Sequence, residues 1–325
     1  MSIQNSLSPL VRAHRPLRTV LVGTSLGEES DRVVRAGLAA VRAAGARIYL
    51  VHAVQLEPRL AGVGGREEIA RCGEELRGQI ERLDIAPTEL AGSAVRVGAP
   101  YRVLLEIAEK IAADLVVVGA TGSGPFAELL GSTAERLLQK AHVPVLVVRG
   151  ELRLPPRRVL APVDLSTLSG DAFHCGLSLL AQLAGSGETR VQAVHALGLP
   201  DASGPQTAGA AGEQAQRATA GELRRFVLEN QPDLPFPVET AVLPGEARRE
   251  ILRELEEHPA DLLVVGTHGR GGLDRLVLGS VASTAARKAP CSVLVVSPEA
   301  ALEEGIAEAI LARTTPAWHR APSAA

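Results

Sequence analysis

The chain has 325 residues, which is enough for two domains of ordinary size. Hydrophobic residues make up 46% of it but aromatic residues only 2%, so any core must be built mainly from aliphatic side chains. The net charge of −3 argues against a general nucleic-acid binder, and no run approaches the ~18 apolar residues of a membrane span.

The cysteines and the first residues indicate the compartment. Cys72, Cys175 and Cys291 are odd in number, lie far apart and form no Cys-x-x-Cys pair, a pattern typical of reduced thiols. No apolar stretch follows the basic residues of segment 1–16, so a secretory signal is not predicted and the segment is expected to be disordered. We therefore predict a cytoplasmic protein without a membrane or nucleic-acid partner.

Apolar runs typical of buried strands alternate with helical patterns along the chain. The predicted strands are 20–24, 48–54, 94–97, 115–119 and 145–148, followed by 159–163, 191–195, 238–243, 262–266 and 293–296. Helical periodicity occupies the gaps between most of these runs, with one helix expected to start near residue 218 and another predicted over 303–313. Such alternation predicts parallel sheets with helices on both faces.

The two halves of the chain repeat each other. RTVLVGTSLGEES from Arg18 matches RRVLAPVDLSTLS from Arg157, and GSTAERLLQKAHVPVLVV from Gly131 matches GSVASTAARKAPCSVLVV from Gly279. Because the repeat is too long for a solenoid unit, each copy is predicted to be a whole domain. The predicted divisions are an N-terminal segment 1–16, a first domain 17–149, a linker 150–156, a second domain 157–298 and a C-terminal tail 299–325.

The last predicted strand of each half is strongly apolar. As the final strand of a sheet, it would expose unpaired backbone groups at an edge. Pairing these two strands with each other, in a contact between the domains within one chain, would remove both edges. The alternative is that each edge is covered by its own loop or linker.

A glycine-rich stretch, GTHGRGGLDRLVLGS, follows the fourth predicted strand of the second half. Parallel sheets bind ligands beyond the carboxyl ends of their strands, where this stretch is expected to lie. Glycine lets a ligand approach the main chain, and Gly279-Ser280 opens a helix whose free amides favour an anion. The spacing alone leaves two interpretations open, a phosphate site and a flexible connection capped by Ser280.

The glycine spacing resembles a known motif. Gly266-x-x-Gly269, nine further residues and then Gly279-Ser280 resemble the ATP-binding motif of the universal stress proteins, and VLAPVDLS from Val159 resembles the first strand of that family. The resemblance implies an α/β fold of two tandem doubly wound domains, each a five-stranded parallel sheet with helices on both faces (adenine nucleotide alpha hydrolase-like). It also implies a regulatory role in the stress response and a homodimer. The expected ligand is ATP, ADP or AMP, held mainly by the second domain, with Mg²⁺ accompanying a triphosphate.

The resemblance also assigns residues to the expected nucleotide site. They are Pro162, Val163, Asp164, Val194, Gly266, Gly269, Arg270, Gly279, Ser280 and Val281. Asp164 and the backbone near Val194 are expected to hold the adenosine, and Gly266 to lie near the ribose. The residues from Gly269 onward are expected to hold the phosphates. Asp164 could instead be the N-cap of the next helix, and Arg270 could be a solvated side chain.

The first half departs from this motif. Ser25 stands where the second half has Asp164, and eight residues instead of nine separate Gly122 from Gly131. Pro125 and Phe126 are expected to stiffen and fill this loop. A weaker site is therefore predicted in the first half, formed by Gly119, Gly122, Gly131, Ser132 and Thr133.

Catalytic signatures are lacking in the sequence. It contains no P-loop lysine motif, no nucleophile elbow and no metal-binding histidine pair. Catalysis is therefore not predicted beyond a slow ATPase activity at most, and no metal is expected on protein side chains. The alternatives to a nucleotide-binding regulator are an interaction scaffold that works without nucleotide and a slow ATPase.

Overall fold

The structure is a computed structural model, and it describes residues 16–55, 63–120, 130–185, 188–198, 210–267 and 278–297. Strands and helices alternate within each half, as predicted, and the last strand of the first half is followed directly by the first strand of the second. The first half comprises β1 (Thr19–Thr24), α1 (Glu28–Ala44), β2 (Arg47–Val54), α2 (Val63–Arg82), β3 (Leu90–Val97), α3 (Pro100–Lys110), β4 (Leu115–Gly119), α4 (Ser132–Lys140) and β5 (Val145–Val148). The second half comprises β6 (Arg158–Pro162), α5 (Thr167–Ala184), β7 (Arg190–Ala196), α6 (Ala210–Asn230), β8 (Val238–Leu243), α7 (Ala247–Glu257), β9 (Leu262–Gly266), α8 (Ser280–Lys288) and β10 (Ser292–Val296).

The strands form one ten-stranded sheet in the order β3-β2-β1-β4-β5-β10-β9-β6-β7-β8. Each half contributes five neighbouring parallel strands with the same internal order. The direction of winding reverses beside β1 in the first half and beside β6 in the second. These are the switch points at which doubly wound sheets bind their ligands.

The two halves meet at the strands predicted to pair. β5 and β10 run antiparallel, with Leu146 opposite Leu294 and Val147 opposite Val293. Each of these four side chains is 1% exposed. The pairing leaves neither strand at an edge, so the predicted contact between the final strands is confirmed.

Burial on both faces explains why the central strands are continuously apolar. Val20, Leu21 and Val22 of β1 have no exposed surface, although their side chains alternate between the faces. One core lies between the sheet and α1, α2, α5 and α6. The other lies between the sheet and α3, α4, α7 and α8. Both cores contain residues from each half of the chain, so neither half has a core of its own.

Two elements begin earlier than the sequence pattern predicted. β3 starts at Leu90 rather than at residue 94, because the first part of this edge strand is only half-buried and therefore lacks an apolar run. α6 starts at Ala210 rather than near residue 218, because its first turns are rich in the helix formers alanine and glutamine. The predicted helix over 303–313, segment 1–15 and almost all of the tail lie outside the described residues.

The cysteines are free and buried, as expected for reduced thiols. Burial raises the pKa of Cys291 to about 11, which disfavours its reactive thiolate form. Among the helices in the described ranges, none is both long and apolar enough to cross a membrane.

Candidate functional site

The carboxyl ends of β6 and β9 bring the predicted second-half residues to one edge of the sheet. β6 pairs with β9 in parallel, so Pro162 and Gly266 end neighbouring strands. On the other side of β6, the amide of Val163 donates to the carbonyl oxygen of Val194 at 2.8 Å. The Val194 backbone is therefore part of the sheet edge, and its side chain is 1% exposed.

The glycine loop of the second half is closed at its base by one hydrogen bond. The amide of Gly279 donates to the carbonyl oxygen of Thr267 at 2.7 Å, and the amide of Thr267 donates to Val296 at 2.9 Å. The first half has the same closure, in which the Gly131 amide donates to Ala120 at 2.7 Å. The amides of Gly131 and Gly279 are therefore already bonded to backbone carbonyl oxygens.

The helices that follow these loops begin without a side-chain cap. Neither Gly131 before α4 nor Gly279 before α8 offers a capping side chain. The first intrahelical bonds come from the amides of Glu135 and Ser283. The three amides before them, in residues 132–134 and residues 280–282, have no acceptor within their own helix and can bind an anion. We call these two groups the first-half cradle and the second-half cradle.

Asp164 shapes the turn that follows β6. Its Oδ1 accepts from the Ser166 amide at 3.0 Å and from the Ser166 hydroxyl at 2.6 Å. The N-cap of α5 is Ser166, whose hydroxyl accepts from the Ser169 amide. The alternative that Asp164 caps the helix is therefore wrong: its carboxylate organises an Asx turn at the sheet edge and is half-buried there.

The residue after Asp164 is held in an unusual backbone conformation. Leu165 has a φ of 63°, and Leu26, at the matched position of the first half, has a φ of 69°. A left-handed conformation is costly for a leucine, and such residues concentrate at functional sites. The turn after the first strand has thus kept its strained geometry in both halves, although Ser25 has replaced the aspartate in one of them.

Two matched histidines were not predicted as site residues. The Nδ1 of His52 lies 2.9 Å from the carbonyl oxygen of Thr24, and the Nδ1 of His195 lies 2.8 Å from that of Val163. Since a carbonyl oxygen only accepts, Nδ1 carries the proton in both rings. The signal was present in the repeat, because IYLVHAV and VQAVHAL place a histidine at the same position.

A network of buried polar side chains lies beside the carboxyl end of β1 in the first half. Gln79 Oε1 accepts from the Thr24 hydroxyl, and Gln79 Nε2 donates to Ser30 and Asp31. Arg82 forms an ion pair with Asp31 at 2.8 Å, and this hydrogen-bonded guanidinium holds the pKa of Asp31 below its ordinary value. The network fixes α1 and α2 against the end of β1.

A cavity of about 590 Å³ opens at the carboxyl edge of the first half. This volume falls in the range typical of small-molecule sites. The predicted weaker-site residues Gly119, Gly131, Ser132 and Thr133 line it, together with His52 and Arg149. The structure thus gathers the described part of that predicted site around one cavity.

The remaining predicted residues divide into two groups. Ser280 is exposed and Val281 is half-buried, and both belong to the second-half cradle. Gly269, Arg270 and Gly122 lie outside the described residues, as do Pro125 and Phe126.

Comparison with known proteins identifies the family. The sequence model of the Universal stress protein family matches residues 16–149 and again residues 156–297. A universal stress protein of Mycobacterium tuberculosis is 30% identical over 190 residues, which cover 56% of this chain and 61% of the relative. One of Mycolicibacterium smegmatis is 29% identical over 297 residues, which cover 86% of this chain and 97% of the relative. The chain thus matches less than two thirds of the first relative and nearly all of the second.

A solved structure agrees with the fold. A universal stress protein from Archaeoglobus fulgidus has 20% sequence identity and a TM-score of 0.61, covering 86% of this chain and 96% of that chain. At this identity the likeness concerns the architecture alone. The two family matches show that the chain belongs to the universal stress protein family and carries the family's domain twice.

Proposed function

We propose that the chain binds an adenine nucleotide at the carboxyl edge of its second half and acts as a nucleotide-dependent regulator in the stress response. The observation that carries the proposal is the uncapped start of α8 at the edge where β6 and β9 end. An anion there meets three backbone amides and the positive end of a helix dipole. Residues 17–149 and residues 157–298 are then the two domains of this regulator, joined by the linker 150–156.

Each described residue has a role that follows from its contacts. Asp164 holds the ribose or adenine, because its carboxylate is fixed at the sheet edge by Ser166. Ser280 and Val281 donate to the phosphates from the second-half cradle, and the hydrogen bond from Gly279 to Thr267 fixes the start of α8 beside the end of β9. Gly269 and Arg270 are included from the motif. Mg²⁺ accompanying a triphosphate would be held by the phosphate oxygens and would neutralise part of their charge.

The expected affinity is moderate. Charge-assisted hydrogen bonds contribute roughly 1.5–3 kcal/mol each. Three or four of them, together with burial of adenine, must offset an association cost of at least about 4 kcal/mol. The net result is a dissociation constant near the micromolar range, or about −8 kcal/mol. Such an affinity suits a sensor of cellular nucleotide levels.

The proposal is tested by placing a carboxylate in the second-half cradle. Ser280→Asp adds a negative charge where the phosphates are expected, while an aspartate in a first helical turn favours the helix. We expect calorimetric titration with ATP to show a loss of affinity of about 100-fold or more at the stronger site, comparable to two lost charge-assisted hydrogen bonds.

The first half supplies the matched control, since Ser132→Asp makes the same change in the first-half cradle. The stronger site should survive in this variant. The reverse result, in which Ser132→Asp removes the stronger site and Ser280→Asp leaves it, would assign the nucleotide to the first half. No heat from ATP, ADP or AMP with the unaltered protein would favour the scaffold that works without nucleotide.

A further inference from the structure

Arg149 crosses from the first half to the second. It follows β5 directly and lines the cavity of the first half. Its Nη2 donates to the carbonyl oxygens of Ala286 at 2.9 Å and Arg287 at 3.2 Å, in the last turn of α8. Arg149 therefore borders the cavity, and its guanidinium lies at the negative end of a helix dipole.

The positive charge of Arg149 is not neutralised by a carboxylate. Its side-chain hydrogen bonds go to two carbonyl oxygens, and within the described ranges it forms no ion pair. It is also half-buried, and desolvation by burial lowers the pKa of its guanidinium. Arg149 is thus a half-buried cation that borders the cavity and forms no ion pair within the described ranges, although Glu29 also lines that cavity; a bound anion could pair with it.

The second half has no such cation at the matched position. Ser297 follows β10 as Arg149 follows β5, and its hydroxyl donates to the carbonyl oxygen of His142. The first half also carries Ser25 in place of Asp164. At these two matched pairs of positions, the first-half cavity therefore has one positive charge more and one negative charge fewer than the second-half edge.

The last turn of α8 also contacts the start of α4. Arg287 forms an ion pair with Glu135, which lies in the first turn of α4. The end of α8 therefore lies beside the start of α4, which forms the first-half cradle. Arg149 contacts α8 at the same end. An anion on the cradle would lie beside the ion pair of Arg287 with Glu135 and beside the helix end that Arg149 caps.

We propose that Arg149 exchanges between two partners: it caps the C-terminus of α8 when the first-half cavity is empty, and it binds a phosphate-bearing anion when that cavity is filled. The inference rests on the proposed function only in taking the carboxyl edge of the sheet as the binding edge. The ligand class is an anion with two or more phosphates, because its charge must compete with two carbonyl oxygens already bound to the guanidinium. Filling the cavity then loosens the end of the helix whose start forms the second-half cradle.

The binding step is tested with inorganic pyrophosphate in a Ser280→Asp background, where the second-half cradle is blocked. We expect calorimetry to detect binding that Arg149→Ser weakens by roughly 10- to 100-fold, the loss typical of one charge-assisted hydrogen bond. Arg149→Lys keeps the charge but loses the planar guanidinium. Its pyrophosphate affinity should lie between that of the protein with Arg149 and that of Arg149→Ser. Arg190→Ser, which removes an exposed arginine from the start of β7, should leave binding unchanged.

The exchange step is tested by hydrogen exchange in the same background. Pyrophosphate should speed exchange of the last amides of α8 and of Ala289, and Arg149→Ser should speed it without any ligand. Equal pyrophosphate affinity in the Arg149→Ser variant, or an α8 that exchanges at the same rate with and without pyrophosphate, would overturn the inference. If pyrophosphate fails to bind but ATP still binds through Ser280 in the unaltered protein, this inference falls while the proposed function stands.

Discussion

Gln79 of α2 is a single side chain that supports the carboxyl end of β1. It has no exposed surface, and its carboxamide is bonded to three partners. Thr24 donates to its Oε1 at 2.9 Å, while its Nε2 donates to Asp31 at 2.8 Å and to Ser30 at 3.1 Å. Thr24 and Ser30 also line the first-half cavity, so the network joins α2 to the wall of that cavity.

Replacing this carboxamide without changing its size should be costly. Gln79→Met leaves the buried Thr24 hydroxyl and the Asp31 carboxylate each short of one bond, and we expect the free energy of unfolding to fall by about 2–3 kcal/mol. Urea denaturation measures this loss. Gln139→Met on the exposed side of α4 is the matched control and should stay within about 0.5 kcal/mol of the unaltered protein. Equal losses in the two variants would show that the network adds no stability.

At the scale of elements, two helices lie unusually close to the sheet. A Cβ added to Gly37 of α1 would lie 2.4 Å from Val22 Cγ2, and one added to Gly176 of α5 would lie 2.5 Å from Val264 Cγ1. The glycines occupy matched positions in the repeat. Close packing of the first helix is therefore common to both halves, and it explains why a poor helix former lies in the middle of each helix.

Two substitutions of the same kind should therefore have opposite effects. Gly37→Ala improves helix propensity but forces a methyl group into β1, and we expect a net loss of about 1–3 kcal/mol in the free energy of unfolding. Gly78→Ala in α2 meets nothing within 4 Å, so it should gain about 0.5–1 kcal/mol. Thermal and urea unfolding of both variants measures the difference. A gain in both would mean that α1 can shift away from the sheet at little cost.

The strength of the local signal decided which elements could be predicted. β4 and β9 are buried on both faces and read as continuous apolar runs, so their bounds were predicted correctly. The start of β3 was missed because an edge strand is covered only in part. The first turns of α6 were missed because their helix formers carry no apolar stripe.

The candidate site, too, could be predicted from the sequence only in part. The glycine spacing and Ser280 are local in sequence, so the motif could be found without the structure. The hydrogen bonds of Gly279 and Asp164 could not be predicted, since the Gly279 bond to Thr267 and the Asx turn at Ser166 depend on backbone geometry. The contact of Arg149 with α8 joins residues 137 positions apart, and only the pairing of β5 with β10 brings them together.

At the scale of the whole molecule, the shared sheet predicts that the two halves unfold together. The β5–β10 pairing is antiparallel and buried, and both hydrophobic cores continue across it. Additional contacts span the same junction, including the hydrogen bonds between Arg149 and Ser292 and the ion pair between Arg287 and Glu135. Loss of packing at this junction should therefore lower the stability of both halves together.

Leu294→Ala tests this cooperativity, because Leu294 is 1% exposed and lies opposite Leu146 at the centre of the junction. Truncating a buried leucine leaves a cavity, and we expect a loss of about 2–5 kcal/mol in the free energy of unfolding. Scanning calorimetry should record a single transition at a lower temperature, and hydrogen exchange should accelerate in both β1 and β7. Leu228→Ala, at a side chain that is 72% exposed, is the matched control and should change neither readout. Two separate transitions, with only the second half shifted, would instead mean that the halves unfold independently and that the shared sheet joins them without coupling their stabilities.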